Sequence, residues 1–362
     1  MARYFITGGG TGGHIYPAVA VADALASGAD EVIYVGNPKN LEYEIVKQKG
    51  YKFLGVNVHG MPRKASFTLL KWVVELGFAV LKACYYILKY KPDAVFGTGG
   101  YVSAPALIGA KLLKVPYMMH DCDAQPGLVT RKLAPSAKCV SVAFECACIV
   151  INNKNCHVNG NPIRLAFKTL SKEDARKNLG LENKLTLCIM GGSQGARSIN
   201  DAAVEALKKL VQDLGLQVIF QTGKKNFDRV IEQLLKIYPD YELNKNLIVK
   251  PYFDDMVTVL KASDIAVSRS GSLSISEICA SKIAPIFVPY PHAAGDHQRK
   301  NAKFMVEKGA GIYLEDSEIN EKTLFDAVNS AISNLDELQK NLLALAKFDG
   351  VEKIVEQLKN EL

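Results

Sequence analysis

The chain predicts an α/β protein built as two halves, each around a parallel sheet. Three observations carry this. Strand-like runs alternate with helix-like runs from end to end, the pattern of βαβ units. Each half opens on an apolar strand that enters a glycine-rich turn and then a helix: residues 4–7 lead into Gly8-Gly9-Gly10-Thr11-Gly12-Gly13-His14, and residues 185–190 into Gly191-Gly192-Ser193-Gln194-Gly195-Ala196-Arg197. The length, 362 residues, suits two domains of about 150 residues each.

Taken in order, the first half reads as strand 4–7, helix 18–27, strand 31–36, helix 43–49 and strand 53–58, then a basic turn, Met61-Pro62-Arg63-Lys64. A helix spans 67–90. Strand 93–96 ends in a second glycine turn, Gly97-Thr98-Gly99-Gly100-Tyr101-Val102-Ser103. Strand 117–123 closes on His120-Asp121-Cys122-Asp123, and 140–143 is a further strand. Cys146-Ala147-Cys148 reads as alternate positions of a strand. Gly160-Asn161-Pro162 interrupts both regular structures, which places the domain boundary at residue 160. The second half reads as helix 172–179, strand 185–190, helix 198–210, and strands 217–221, 246–250, 265–268 and 284–288. Its final stretch is an amphipathic helix rich in Leu, Lys and Glu.

Composition bounds the function. Hydrophobic residues are 48% and charged residues 22%, a globular profile that excludes long disorder. Net charge is +7, but no Lys/Arg block is dense enough for nucleic acid. Met1-Ala2-Arg3 runs straight into the first strand, so no signal peptide is expected. The eight cysteines show no C-x-x-C spacing and are expected to be free thiols in a reducing cytosol.

The 67–90 helix is the most apolar segment, yet Lys71, Glu75 and Lys82 keep it from being a transmembrane span. At ~100° per residue, positions 71, 75, 82 and 89 fall within ~40° of one another, so the polar stripe is narrow. Two readings stand: a helix covered by neighbours on several sides, or a membrane-facing patch. In the second, Phe67, Leu70, Trp72 and Phe78 meet the bilayer, and Arg63 and Lys64 meet anionic headgroups.

Open parallel sheets bind ligands at the carboxyl ends of their strands, where the glycine turns lie. Gly8-x-Gly10-x-x-Gly13 matches the dinucleotide fingerprint, but the second strand ends Val35-Gly36-Asn37-Pro38-Lys39 without the carboxylate that holds a ribose. A nicotinamide enzyme is therefore disfavoured, as is a P-loop NTPase, since G-x-x-x-x-G-K-[ST] is missing. The turn suits a diphosphate instead, with His14 the titratable group at its rim. In the second half, Gly271-Ser272-Leu273-Ser274 opens a helix suited to phosphate, with Glu277 on the same helix able to accept both hydroxyls of a ribose. In the polar stretch 296–302, Gln298 suits sugar hydroxyls, offering both donor and acceptor. His14, His120 and Asp121 are the candidate bases.

Together the two glycine turns, Gly160-Asn161-Pro162-Ile163-Arg164, the 191–197 loop, Arg269-Ser270-Gly271 with Ser276-Glu277, and His297-Gln298 with Asn301-Ala302 resemble the MurG family, the bacterial N-acetylglucosaminyltransferases that make lipid II. The likeness runs nearly end to end and in order. It implies a GT-B fold, two Rossmann-like domains with parallel sheets facing across a cleft, with residues 1–160 binding acceptor and membrane, residues 161–344 binding UDP-GlcNAc, and a final helix, 345–362, packing back on the first domain. It implies that Thr11, Gly12, Gly13, Asn161, Arg164, Gly191, Gly192, Ser193, Gln194, Tyr252, Phe253, Gly271, Ser272, Leu273, Ser274, Glu277, His297 and Gln298 meet UDP-GlcNAc, Phe253 by backbone contacts to the uracil. Gly9, Gly10, Gly99, Gly100 and Tyr101 would hold the acceptor diphosphate. His14 is the expected base and Asp121 the runner-up. Two positions depart from the family pattern: many members have His-Glu-Gln-Asn where His120-Asp121-Cys122-Asp123 stands, and Gln-Gln at 297–298.

The implied reaction is inverting transfer of GlcNAc to the C4 hydroxyl of undecaprenyl-diphospho-MurNAc-pentapeptide, with no obligatory cofactor or metal. The implied setting is the cytoplasmic side of the inner membrane, peripherally bound, beside the cell-wall synthesis machinery. A GT-B transferase for another UDP-sugar or lipid acceptor, and a non-catalytic sugar-nucleotide-binding protein, are the alternatives.

Overall fold

The computed structural model describes residues 1–62, 67–192 and 194–361. Arg63 and Lys64, expected at a membrane, and Ser193, expected beside a diphosphate, lie outside the described residues. The chain forms two compact units, Met1–Ile163 with Lys347–Leu362, and Arg164–Ala346.

In the first unit the elements run β1 Arg3–Thr7, α1 Gly12–Ser27, β2 Glu31–Gly36, α2 Leu41–Gln48, β3 Lys52–Gly55, α3 Phe67–Tyr90, β4 Ala94–Gly97, α4 Gly100–Leu112, β5 Tyr117–Asp121, α5 Leu128–Leu133, β6 Cys139–Val142, α6 Glu145–Val150 and β7 Cys156–Val158. The sheet order is β3-β2-β1-β4-β5-β6-β7, with every pairing parallel. Its central strands are mostly apolar because helices cover both faces. Phe5, Val95 and Leu107 pack on one face, Ile6, Ile15 and Leu25 on the other.

The second unit runs α7 Ala166–Thr169, α8 Lys172–Leu179, β8 Thr186–Met190, α9 Arg197–Gln212, β9 Gln217–Gln221, α10 Phe227–Ile237, β10 Leu247–Lys250, α11 Met256–Ala262, β11 Ile265–Ser268, α12 Ser272–Ser281, β12 Ala284–Phe287, α13 His297–Glu307, β13 Ile312–Tyr313, α14 Glu321–Ser333 and α15 Leu335–Leu345. The order is β10-β9-β8-β11-β12-β13, again all parallel. The last helix, α16 Gly350–Asn360, belongs to the first unit, where Ile354 and Leu358 are buried beside Ile15 and Leu25.

Each sheet has a switch point where strand order reverses, β1/β4 in one and β8/β11 in the other. Ligands of open α/β sheets bind at such points. All four strands end in the glycine-rich or serine-rich turns singled out above.

Four expectations change. Helix α1 starts at Gly12 rather than residue 18, so Gly12, Gly13 and His14 form its first turn. Pro17 is the sixth residue of α1, where it removes the N–H that would bond the Gly13 carbonyl; that carbonyl accepts instead from Cys122 Sγ (3.3 Å). Cys146 and Cys148 lie on α6, not on a strand. Cys148 is bonded to Cys156 of β7, so the cysteines are not all free thiols. The amphipathic C-terminal stretch is broken between α15 and α16.

The α3 face is left uncovered among the described residues, against the first of its two readings. Only Ala79, Ala83 and Ile87, spaced four apart, are buried. Phe67, Leu70, Val74, Phe78, Leu81, Tyr85 and Leu88 recur every three or four residues and are exposed, Phe67 at 82% and Phe78 at 68%. Trp72 is half-buried, and its indole N–H donates to the His59 carbonyl (2.8 Å). No helix among the described residues is long and apolar enough to cross a membrane.

Candidate active site

In the first unit, the turns after β1 and β4 meet at His14. The Thr98 carbonyl accepts a hydrogen bond from His14 Nδ1 (2.9 Å), and the Thr98 hydroxyl donates to the His14 carbonyl (2.6 Å). A carbonyl only accepts, so Nδ1 carries the proton and Nε2 is the basic nitrogen. The ring lies on the α4 start: a Cβ on Gly100, whose φ is +72°, would stand 2.9 Å from His14 Cδ2. Glycine is required there for both reasons.

Glu42, fully buried on α2, shapes the first turn from beneath. Its Oε2 accepts from Gly10 N–H (3.2 Å) and its Oε1 from Asn37 N–H (3.2 Å). The Tyr34 hydroxyl donates to the Gly8 carbonyl (2.6 Å), and burial pushes its pKa up, so it stays a donor. Tyr101 lies against Gly10, and its hydroxyl accepts from Asn40 Nδ2 (3.1 Å).

The other candidate bases serve the scaffold. Asp121 is buried, and its two oxygens accept from the N–H groups of Asp123 and Gly127 (3.1 Å each); burial raises its pKa. The carboxylate thus shapes its own loop. His120 is wholly buried: Ser141 Oγ donates to Nδ1 and Nε2 donates to Asn161 Oδ1, both at 2.9 Å. Burial lowers its pKa to about 4, so it is neutral. Asn161 also reaches the Cys122 carbonyl through Nδ2 (3.4 Å), so its amide serves this loop.

In the second unit, the turn after β8 folds against residues 222–223. A Cβ on Gly195 would stand 2.0 Å from the Thr222 carbonyl oxygen, with φ at +75°. Gln221, at the end of β9, joins two parts of the site: its Nε2 donates to the Gly192 carbonyl (3.3 Å) and its Oε1 accepts from Phe253 N–H (2.9 Å). Phe253 is buried, and its N–H is committed to Gln221. Tyr252 beside it carries Lys224 over its ring.

Gly271 caps α12, and Ser272, Leu273 and Ser274 form its first turn, with no acidic residue to oppose an anion. One turn on, Glu277 accepts from Arg164 NH2 (2.9 Å). Burial raises the Glu277 pKa while Arg164 opposes the rise. Gln298 accepts from Tyr290 N–H through Oε1 (2.9 Å), and its carbonyl accepts from Ser270 Oγ (2.8 Å), which ties the α13 start to the β11 turn. His297 opens α13 beside it.

Two family models match the chain: the glycosyltransferase family 28 N-terminal domain over residues 4–142 and the family 28 C-terminal domain over residues 186–358. A protein of Caldanaerobacter subterraneus is 36% identical over 99% of both chains, and one of Halothermothrix orenii is 36% identical over 93% of this chain and 92% of its own. Both are named UDP-N-acetylglucosamine--N-acetylmuramyl-(pentapeptide) pyrophosphoryl-undecaprenol N-acetylglucosamine transferase. This chain belongs to the MurG family. The crystal structure of Acinetobacter baumannii MurG superposes with a TM-score of 0.80 at 26% identity, covering 99% of each chain. The two parallel-sheet units are therefore the Rossmann-like domains of a GT-B glycosyltransferase.

Two residues of the site, Glu42 and Gln221, escape motif reading. Glu42 shares the α2 stripe with Ile45 and Val46, and a carboxylate in an apolar stripe was its signal. Gln221 ends a fully buried strand, an equally visible anomaly. Arg269 was legible only as part of a motif. Its NH1 donates to the Val288 and Pro289 carbonyls (2.9 and 3.1 Å) and pairs with Asp316, which also accepts from Ser198 Oγ. Arg269 so gathers the ends of β11 and β12 and the start of α9.

Proposed function

We propose that the chain transfers GlcNAc from UDP-GlcNAc to the C4 hydroxyl of undecaprenyl-diphospho-MurNAc-pentapeptide, with inversion, giving the β-linked disaccharide of lipid II. The observation that carries it is His14: an imidazole at two glycine turns and two helix starts, locked by the Thr98 carbonyl with Nε2 as the basic nitrogen. A base oriented by a hydrogen bond to its other nitrogen is the arrangement general-base catalysis uses. His14 Nε2 takes the proton of the acceptor hydroxyl as that oxygen attacks the anomeric carbon. The N–H groups of residues 9, 99 and 100 hold the acceptor diphosphate, while Gly10, its own N–H given to Glu42, sets the turn around it. Asp121, committed to its loop, positions rather than reacts.

In the second domain the 191–195 loop and the α12 start bind the UDP diphosphate and stabilise the charge of leaving UDP. Glu277 accepts the ribose hydroxyls once Arg164 turns to the phosphates. Tyr252 and the Phe253 carbonyl meet the uracil, and His297 and Gln298 the GlcNAc. The exposed α3 stripe, bordered by Lys71, Lys82 and Lys89, docks on the anionic inner face of the cell membrane, where the lipid acceptor resides.

Radiolabelled transfer from UDP-GlcNAc, UDP-Glc and UDP-GalNAc to a soluble lipid I analogue tests the reading. Transfer from UDP-GlcNAc well above the others is expected. Preference for another sugar would favour a different GT-B transferase, and binding without transfer a non-catalytic protein.

A further inference from the structure

A hollow of about 290 Å³ opens beside the first glycine turn, lined by Asn37, Lys39, Asn57, His59, Glu75 and Phe78. It lies at the small end of ligand pockets, roughly 300–1,000 Å³, so it suits part of a ligand rather than a sugar nucleotide. It adjoins the candidate acceptor site through one carboxylate, since Glu42 accepts from both Gly10 and Asn37. Its walls are held. Asn37 donates to the Val58 carbonyl (2.7 Å) and accepts from Lys39 N–H (3.0 Å), and the Trp72 indole fixes the His59 backbone against α3. Glu75 stands 3.4 Å from His59 and, more loosely, 3.9 Å from Lys71 one turn before it.

The lining decides among the parts of an acceptor. One aromatic ring is too little apolar surface for a prenyl chain. Glu75 would repel a diphosphate. A neutral sugar calls for neither an ammonium nor a carboxylate. An amide-rich chain with charged groups fits: Lys39 faces carboxylates, Glu75 faces an ammonium, and the amide of Asn57 faces peptide groups. We propose that this hollow seats the peptide stem of the acceptor and discriminates peptide-bearing from bare acceptors. This rests on the acceptor reading given above.

The test compares KM for two soluble lipid I analogues, one with the pentapeptide and one lacking it, in the wild type, Lys39→Ala, Lys39→Arg and Glu75→Gln. The wild type should favour the pentapeptide analogue by about tenfold, the size of a charge-assisted contact. Lys39→Ala and Glu75→Gln should bring the two KM values within about twofold of each other, and Lys39→Arg should keep most of the preference. Equal KM values in the wild type, or a preference that survives Lys39→Ala and Glu75→Gln, would overturn the peptide site while leaving the transfer reaction standing. No transfer to either analogue would bring down the acceptor reading and this inference with it.

Discussion

Lowering the pH from 7 to 4 should loosen the first domain through one buried ring. His120 has no solvent access and is held as a neutral imidazole between Ser141 and Asn161. The same network continues through Asn159, which donates to Ser141 Oγ (3.1 Å) and to Gln357 of α16 (2.8 Å). Burial takes the His120 pKa from its ordinary 6.5 to about 4. The unfolded chain therefore binds a proton near pH 6.5, whereas the folded chain resists it down to about 4. The stability this ring contributes is complete above pH 6.5 and is lost as pH falls through that window. At 1.36 kcal/mol per pH unit the loss is about 3 kcal/mol. Trp72, the only tryptophan, lies in this domain, so its fluorescence reports this domain's unfolding. Urea curves at pH 7 and pH 4 should show the wild type losing about 3 kcal/mol more than His120→Gln, which keeps a donor toward Asn161. Parallel losses in the two proteins would refute the assignment.

Arg164→Ala should raise the Glu277 pKa further, because it removes the cation that opposes burial. UDP affinity, measured by calorimetry across pH, should then fall off at a higher pH than in the wild type. With a folded pKa above the unfolded one, Glu277 itself favours the folded state at low pH, and that contribution fades as pH rises through the window between the two values. Arg269→Ala should destabilise the second domain by about 3 kcal/mol, since Asp316 loses its partner in a largely buried pair. Arg269→Lys should recover only part of this, because an ammonium cannot reproduce the guanidinium's fork; differential scanning calorimetry resolves both. Replacing Phe67 and Phe78 with Ser should cut sedimentation with anionic vesicles about tenfold or more while UDP binding is kept, given ~1.5–3 kcal/mol for each large side chain withdrawn from an apolar phase.

The central strands were legible because buried parallel strands are short apolar runs punctuated by glycine, and the four turns at the switch points could be placed from that alone; the short edge strands β7 and β13 were not. The start of α1 was not legible either. Gly12 and Gly13 look like loop, yet they begin α1, because a helix's first turn tolerates residues that its interior does not. Short apolar runs such as 146–148 have no period long enough to separate strand from helix. The Cys148–Cys156 bond depends on how β7 lies against α6, which no local pattern encodes. Glu42, Gln221 and Arg269 act by accepting from or donating to backbone far away in sequence, so their importance appears only once the sheets are assembled. His14 was singled out from its rim position, but its tautomer came from Thr98, 84 residues away.

The account's central claim is that His14 removes the acceptor proton. Turnover of His14→Ala on a soluble lipid I analogue, with UDP-GlcNAc saturating, tests it most directly. A fall in kcat of about 10²–10⁴ with UDP affinity unchanged is the predicted result, the usual worth of a general base. Near-normal kcat would contradict it.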